Sequence, residues 1–229
     1  VTAPGIDHLV VGAVDLDAGR RQVEELLGVP LSPGGRHDRM GTHNCLLGLG
    51  PSCYLEVIAI DPLAPSPGRP RWFGLDLPET ADRLAQGPSL LTWVVHGVDA
   101  EMLTPDLGRR LGPWEVMHRG DFKWRITLPA DGRPSEGGAL PALIQWSSQD
   151  HPAGRLPDRG CRLKRLKLSV SRPARLPAAL DTLGCRDLAE IQLLNPHRPP
   201  VLLAEIETPG GLRRIGSEPT RNPVCEQFS

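Results

Sequence analysis

Ile6-Asp7-His8-Leu9-Val10-Val11-Gly12 is a short run rich in β-branched residues, and two residues later Asp15-Leu16-Asp17-Ala18-Gly19-Arg20-Arg21-Gln22-Val23-Glu24-Glu25-Leu26-Leu27 takes over with helical spacing. Leu16, Val23, Leu26 and Leu27 form the apolar stripe of that helix. Asp15 stands where an N-cap belongs, and Gly28 where a C′ glycine stops a helix. Three further strands are predicted near 29–37, 41–49 and 53–60, the last reading Cys53-Tyr54-Leu55-Glu56-Val57-Ile58-Ala59-Ile60. The order is βαβββ.

Outward from this unit, residues 61–72 carry Pro62, Pro65, Pro67, Gly68 and Pro70, a linker composition, and a short helix is predicted at 77–86. The first order then returns: a strand over Leu90–His96, a helix near 99–111, and strands near 114–119, 122–128 and 139–147. Aligning Val14-Asp15 with Val98-Asp99 places strand on strand and helix on helix, which predicts a second βαβββ unit. A second proline-rich stretch at 152–160 leads to a shorter βαββ element. Its parts are a strand at 162–170 alternating apolar and basic residues, a helix at 173–183 opened by Pro173, and strands near 188–194 and 201–207. Pro209-Gly210-Gly211 breaks the chain. The expected fold class is α+β, with paired βαβββ modules forming an open, curled mixed β-sheet barrel with flanking helices. Residues 1–150 form that domain, 151–216 the C-terminal element and 217–229 a flexible tail.

Composition narrows the function. The 229 residues suffice to bury a core, and the 25 glycines and 25 prolines gather between the predicted units instead of signalling disorder. Lys+Arg 26 against Asp+Glu 27 provides no net positive field, so neither nucleic acid nor an anionic membrane is an expected partner. Five unpaired-looking cysteines (Cys45, Cys53, Cys161, Cys185, Cys225) lack any Cys-x-x-Cys spacing, which argues against a disulfide framework or a zinc knuckle. With no apolar run near the ~20 residues that span a bilayer and no leader-like start, a soluble cytoplasmic protein is expected.

Ile6-Asp7-His8-Leu9-Val10-Val11, Leu27-Gly28-Val29, Gly34-Gly35-x-His37, Gly41-Thr42-His43-Asn44 and Tyr54-Leu55-Glu56-Val57-Ile58-Ala59, in that order, resemble the glyoxalase-like branch of the vicinal oxygen chelate superfamily. The resemblance covers residues 5–60 closely and 89–147 loosely. It implies a sheet cavity in which a divalent metal (Zn, Ni, Fe or Mn) chelates adjacent oxygens of a small substrate, with no nucleotide cofactor. By position it implies His8 and Glu56 as metal ligands, Glu56 also as catalytic carboxylate, and Thr92 and Gln145 as their second-module counterparts. Thr and neutral Gln are poor ligands, so the second half departs from the pattern.

The residues themselves allow narrower readings. On a strand, alternate residues share a face, so His8 with Val10, and Tyr54 with Glu56 and Ile58, can point into one concavity. A buried histidine satisfied by a carbonyl and a solvent-facing edge glutamate are the plain alternatives, although a carboxylate among apolar strand residues needs a partner. His37, Thr42, His43 and Asn44 either serve a ligand or shape a hairpin rim. His43, His96 or His118 replaces a ligand if the registers slip by one. Trp146 with Trp93, and Trp124 with Trp114, line a pocket or fill the core. The Arg162, Lys164, Arg165 and Lys167 cluster reads as a solvated strand face. Three functions follow: a metal-assisted enzyme acting on a carbonyl or vicinal-oxygen substrate, a metal-free small-molecule binding protein, and a non-catalytic dimerising scaffold. A homodimer is compatible with each.

Overall fold

The computed structural model describes residues 3–171, 175–195 and 198–217. Strands β1 (Gly5–Gly12) and β5 (Ser89–His96) pair antiparallel at its centre, and each is flanked by the last strand of its own unit, running parallel to it. The first unit comprises β1, helix α1 (Leu16–Leu27), β2 (Ser32–His37), β3 (Thr42–Gly48) and β4 (Tyr54–Ile60). The second comprises β5, α3 (Pro105–Leu111), β6 (Trp114–Arg119), β7 (Phe122–Thr127) and β8 (Ala142–Trp146), with α2 (Pro78–Leu84) between the units. The sheet order β2-β3-β4-β1-β5-β8-β7-β6 is the same half repeated about the β1–β5 seam. The outer strands curl toward each other until Arg39 bridges them, donating to Val116 O at 2.9 Å and pairing with Glu115. The result is the nearly closed, curled mixed sheet of an α+β fold.

Strand alternation divides the core in two. Leu9, Val11, Trp93 and Val95 face outward under the helices, while Val10, Ile58, Val94, Trp124 and Ile144 face the concavity. Helix α1 starts as read: the Asp15 carboxylate accepts from Ala18 N at 2.8 Å, and Gly28 takes φ 71° to close it. Its buried stripe is Gly19, Val23 and Leu27, with Leu26 turned to solvent. Burying Val23 and Leu27 contributes about 1.5–3 kcal/mol each.

The structure departs from the sequence reading at several elements. The helix expected at 99–111 is a 3₁₀ turn (Ala100–Met102) followed by α3, because Pro105 disfavours helical geometry at Thr104 and the Thr104 hydroxyl caps Leu107 N. The strand expected from 139 begins at Ala142, since the preceding turn holds Glu136 and Gly137 at φ 50° and 64°. A short helix α4 (Pro152–Arg155) occupies the second linker. The C-terminal element gains a strand after the Pro-Gly-Gly break. Strands β9 (Arg162–Val170), β10 (Glu190–Leu193), β11 (Val201–Thr208) and β12 (Gly211–Gly216), with α5 (Arg175–Thr182), form a sheet of order β10-β9-β11-β12. Leu168, Leu202 and Ile206 from this sheet join the outward core with Trp93. The basic cluster on β9 is paired across strands, Lys164 with Glu207, Arg165 with Glu190 and Lys167 with Glu205.

The tryptophans pair otherwise than expected. Trp124 meets Trp146 at 5.3 Å, Trp93 is core with its indole bonded to Ala139 O, and Trp114 stacks under Arg125. Cys45, Cys53, Cys161 and Cys185 are free thiols. No helix among the described residues is long and apolar enough to cross a membrane. Pro173, Cys225 and the expected tail from 218 onward lie outside the described residues.

Candidate active site in the sheet cavity

The β1–β5 register slips by one between Ile6 (opposite Val95) and His8 (opposite Val94), leaving Asp7 as the extra residue of a bulge. The bulge brings neighbouring side chains together that regular alternation would separate: Asp7 Oδ1 lies 2.7 Å from His8 Nδ1. Asp7 is fully buried and has two more donors on Oδ2, Trp146 Nε1 at 2.8 Å and His151 Nε2 at 3.1 Å, with His96 Nδ1 at 3.4 Å. His151 Nδ1 accepts from Ala153 N, so its proton sits on Nε2. Burial alone would raise the Asp7 carboxyl, but the hydrogen bonds from His151, His8 and His96 outweigh it and hold the group well below the usual carboxylate range. Asp7 is therefore an acceptor only. It holds a proton on His8 Nδ1 and turns Nε2 toward the cavity.

Glu56, on β4, faces that nitrogen with Oε2 at 3.8 Å and is itself buried. Its Oε1 accepts from the Asn44 amide, whose oxygen accepts from Gly35 N at 2.8 Å, an arrangement that fixes which way the amide points. His37 Nε2 stands 4.0 Å from Glu56 Oε1 and 3.4 Å from Arg119 Nη1. Arg119 can only donate, so the His37 proton lies on Nδ1, which bonds Thr42 Oγ1 at 3.1 Å; Trp72 Nε1 donates to the same hydroxyl. Burial pushes the His37 imidazole well below its ordinary value, and the Arg119 charge pushes in the same direction. Tyr54 stacks on His8 at 4.6 Å, and burial with the Asp7 and Glu56 charges raises its phenol, which keeps its proton.

Trp72, Phe73, Trp124, Ile126, Ile144 and Trp146 wall these groups in. The free space is about 20 Å³, room for one water. Phe73 holds φ 59°, an uncommon conformation for a residue with a side chain, at this wall.

Of the residues singled out from sequence, His8, His37, Thr42, Asn44, Tyr54, Glu56 and Trp146 converge here. Three do not. His43 lies on the opposite face of β3 from Thr42 and Asn44. Thr92 is buried with its hydroxyl on the Trp93 and Gly138 carbonyls. Gln145 is turned away, bonded to Arg125 and to Val98 O, because Ile144 and Trp146 take the inward positions of β8. His118 is exposed. Sequence reasoning missed Asp7, Arg119 and His151. The costly burial of an aspartate within an apolar strand was the available signal for Asp7; nothing in sequence ties Arg119 or His151 to β1.

The donor set does not fit a tightly held divalent ion. All candidate ligands come from the first unit, since the second offers Val94, Ile144 and Trp146. Glu56 Oε1 is engaged by Asn44, and a guanidinium stands at His37 Nε2. His8 Nε2 and Glu56 Oε2 remain, fewer than the three protein ligands a catalytic zinc uses. No group of three His, Cys, Asp or Glu side chains among the described residues is arranged to hold a metal.

A curled sheet of two βαβββ halves around a buried His and Glu defines a vicinal oxygen chelate fold. The chain belongs to the glyoxalase-like domain family, whose model matches residues 6–184. Among solved structures it is similar to a hypothetical protein from Staphylococcus aureus, 17% identical with TM-score 0.53, over 95% of this chain and 87% of that one. It is also similar to Streptomyces coelicolor methylmalonyl-CoA epimerase in complex with 2-nitronate-propionyl-CoA, 16% identical with TM-score 0.41, over 64% of this chain and 100% of that one. No curated protein matches significantly.

Proposed function

We propose that this protein is an enzyme that moves a proton on a small oxygen-bearing substrate, with Glu56 as the base; the sheet cavity, which as it stands holds one water, admits that substrate only as the aromatic wall around it moves outward. The observation that carries the reading is the chain Asp7–His8···Glu56–Asn44, two buried carboxylates held apart in role. Asp7 is saturated with donors and fixes an imidazole, whereas Glu56 keeps Oε2 open toward the cavity. In the proposed step, Glu56 takes a proton from a carbon beside a carbonyl. The C–H bond breaks, its electron pair passes to the carbonyl oxygen, and the proton returns from Glu56 afterwards. The Tyr54 phenol lines the same cavity with its proton retained, and supplies the donor that this oxygen needs. His8 Nε2 accepts from a hydroxyl on the substrate. The aromatic walls exclude water and raise the worth of each of these contacts.

The experiment is solvent exchange. Small 2-oxo and 2-hydroxy carbonyl compounds are incubated with the protein in D2O and followed by ¹H NMR. Loss of a C–H signal is expected, abolished in Glu56→Gln and insensitive to chelator. No exchange in any compound, or exchange unchanged in Glu56→Gln, contradicts the proposal.

The Trp72, Trp124 and Trp146 wall favours one other reading, a metal-free binding protein for a planar compound. That reading predicts quenching of tryptophan fluorescence by planar ligands with no exchange.

A further inference from the structure

Arg119 ends β6 at the tip of the β6–β7 hairpin and borders the cavity. Among the described residues no carboxylate lies within 4.0 Å of it, whereas Arg39 and Arg69 share Glu115 and Arg155 has Asp150. Its polar contact is the 3.4 Å approach to His37 Nε2, long for a hydrogen bond and made to an imidazole that burial keeps neutral. The half-buried guanidinium, with the Phe122 ring 5.9 Å from its Cζ, faces the aromatic cavity with no carboxylate acceptor on it. The backbone makes room for it: a Cβ on Gly35 would stand 2.8 Å from Arg119 Cδ.

We infer that Arg119 is the anchor for a carboxylate on the substrate. A carboxylate accepts two parallel N–H bonds from a guanidinium and is a better acceptor than the imidazole nitrogen it would displace. A singly charged, planar group suits the position, because a second negative charge would face Glu56 just beyond His37. The substrate class is then a small carboxylic acid bearing a carbonyl or hydroxyl on the neighbouring carbon. Arg119 holds the acid group, and the rest of the molecule, with its exchangeable C–H, lies on the Glu56 side of the cavity. The inference rests on the cavity being a substrate site, and not on Glu56 being the base.

The test uses glycolate and pyruvate against their neutral amides, glycolamide and pyruvamide, titrated into the full chain with tryptophan fluorescence and melting temperature as readouts. The acids are expected to bind at least about tenfold more tightly than the amides, since a site built to bond a charged group rejects the analogue lacking it. Arg119→Gln erases that preference, so that acids and amides bind alike, and Arg119→Lys retains part of it. Near-ultraviolet circular dichroism checks that the variants are folded. Amides that bind as tightly as the acids, undiminished acid binding in Arg119→Gln, or no binding of either acid overturns the inference. Acids bound through Arg119 without any deuterium exchange would remove the proton-transfer reading and leave the anchor standing. Exchange that proceeds equally on the amides and survives Arg119→Gln would do the reverse.

Discussion

Titration of His37 bears directly on the stability of the folded state. The imidazole is buried and its folded-state pKa lies below the unfolded value of 6.5, so on acidification the unfolded chain takes a proton that the folded chain refuses. Stability is therefore fully present above pH 6.5 and falls below it, by up to about 1.4 kcal/mol per pH unit for one group. Asp7, also depressed, contributes stability that is lost only at lower pH, below the carboxylate value of 3.8. Urea unfolding between pH 4 and 7.5 should thus show a decline that His37→Gln flattens; an identical slope in the variant would rule His37 out. At this scale the first unit was partly legible: His8, Tyr54 and Glu56 share the concavity that their strand alternation implies, while Asn44, left between a ligand role and a hairpin rim, bonds Glu56. The second was not, because one residue of register decides the face. Gln145 was matched to Glu56, yet Ile144 and Trp146 point inward. Arg119 reaches the cavity only through the hairpin's curl over β2, which no local pattern encodes.

The β2–β3 hairpin sets the position of Glu56 through its backbone. Gly34 passes so close to Asn44 that a Cβ would fall 2.0 Å from the amide oxygen, and Gly35 N is that oxygen's donor. Gly34→Ala should displace Asn44 from Glu56, lowering exchange activity by about tenfold or more while costing about 1–3 kcal/mol of stability by overpacking. Wild-type activity in this variant would show that Asn44 does not position the carboxylate. Of the elements, α1 was readable because cap, stripe and stop agree within fourteen residues. The helix at 99–111 was not, since Pro105 reads equally as an interruption and as a first-turn residue, and Thr104 decides between them by capping. Strand β12 escaped notice because Pro209-Gly210-Gly211 reads as an ending, whereas Gly211, at φ 97°, opens the strand that returns along β11.

At the scale of the whole molecule, the repeat is used asymmetrically. The first unit places His8, His37 and Glu56 at the cavity. The second supplies the wall and the brace, with Trp146 on β8 and His151 beyond it both holding Asp7. That division explains why a repeat legible in sequence does not yield a symmetric metal centre, and it makes the orientation of His8 a property of both halves. Long-range ¹H–¹⁵N NMR of the His8 ring, with and without added zinc, measures this directly. A proton on Nδ1 and an unprotonated Nε2 are expected in the wild type, unmoved by zinc, with loss of that tautomer in Asp7→Asn. A proton on Nε2, or an Nε2 resonance that shifts stoichiometrically with zinc, would contradict this assignment.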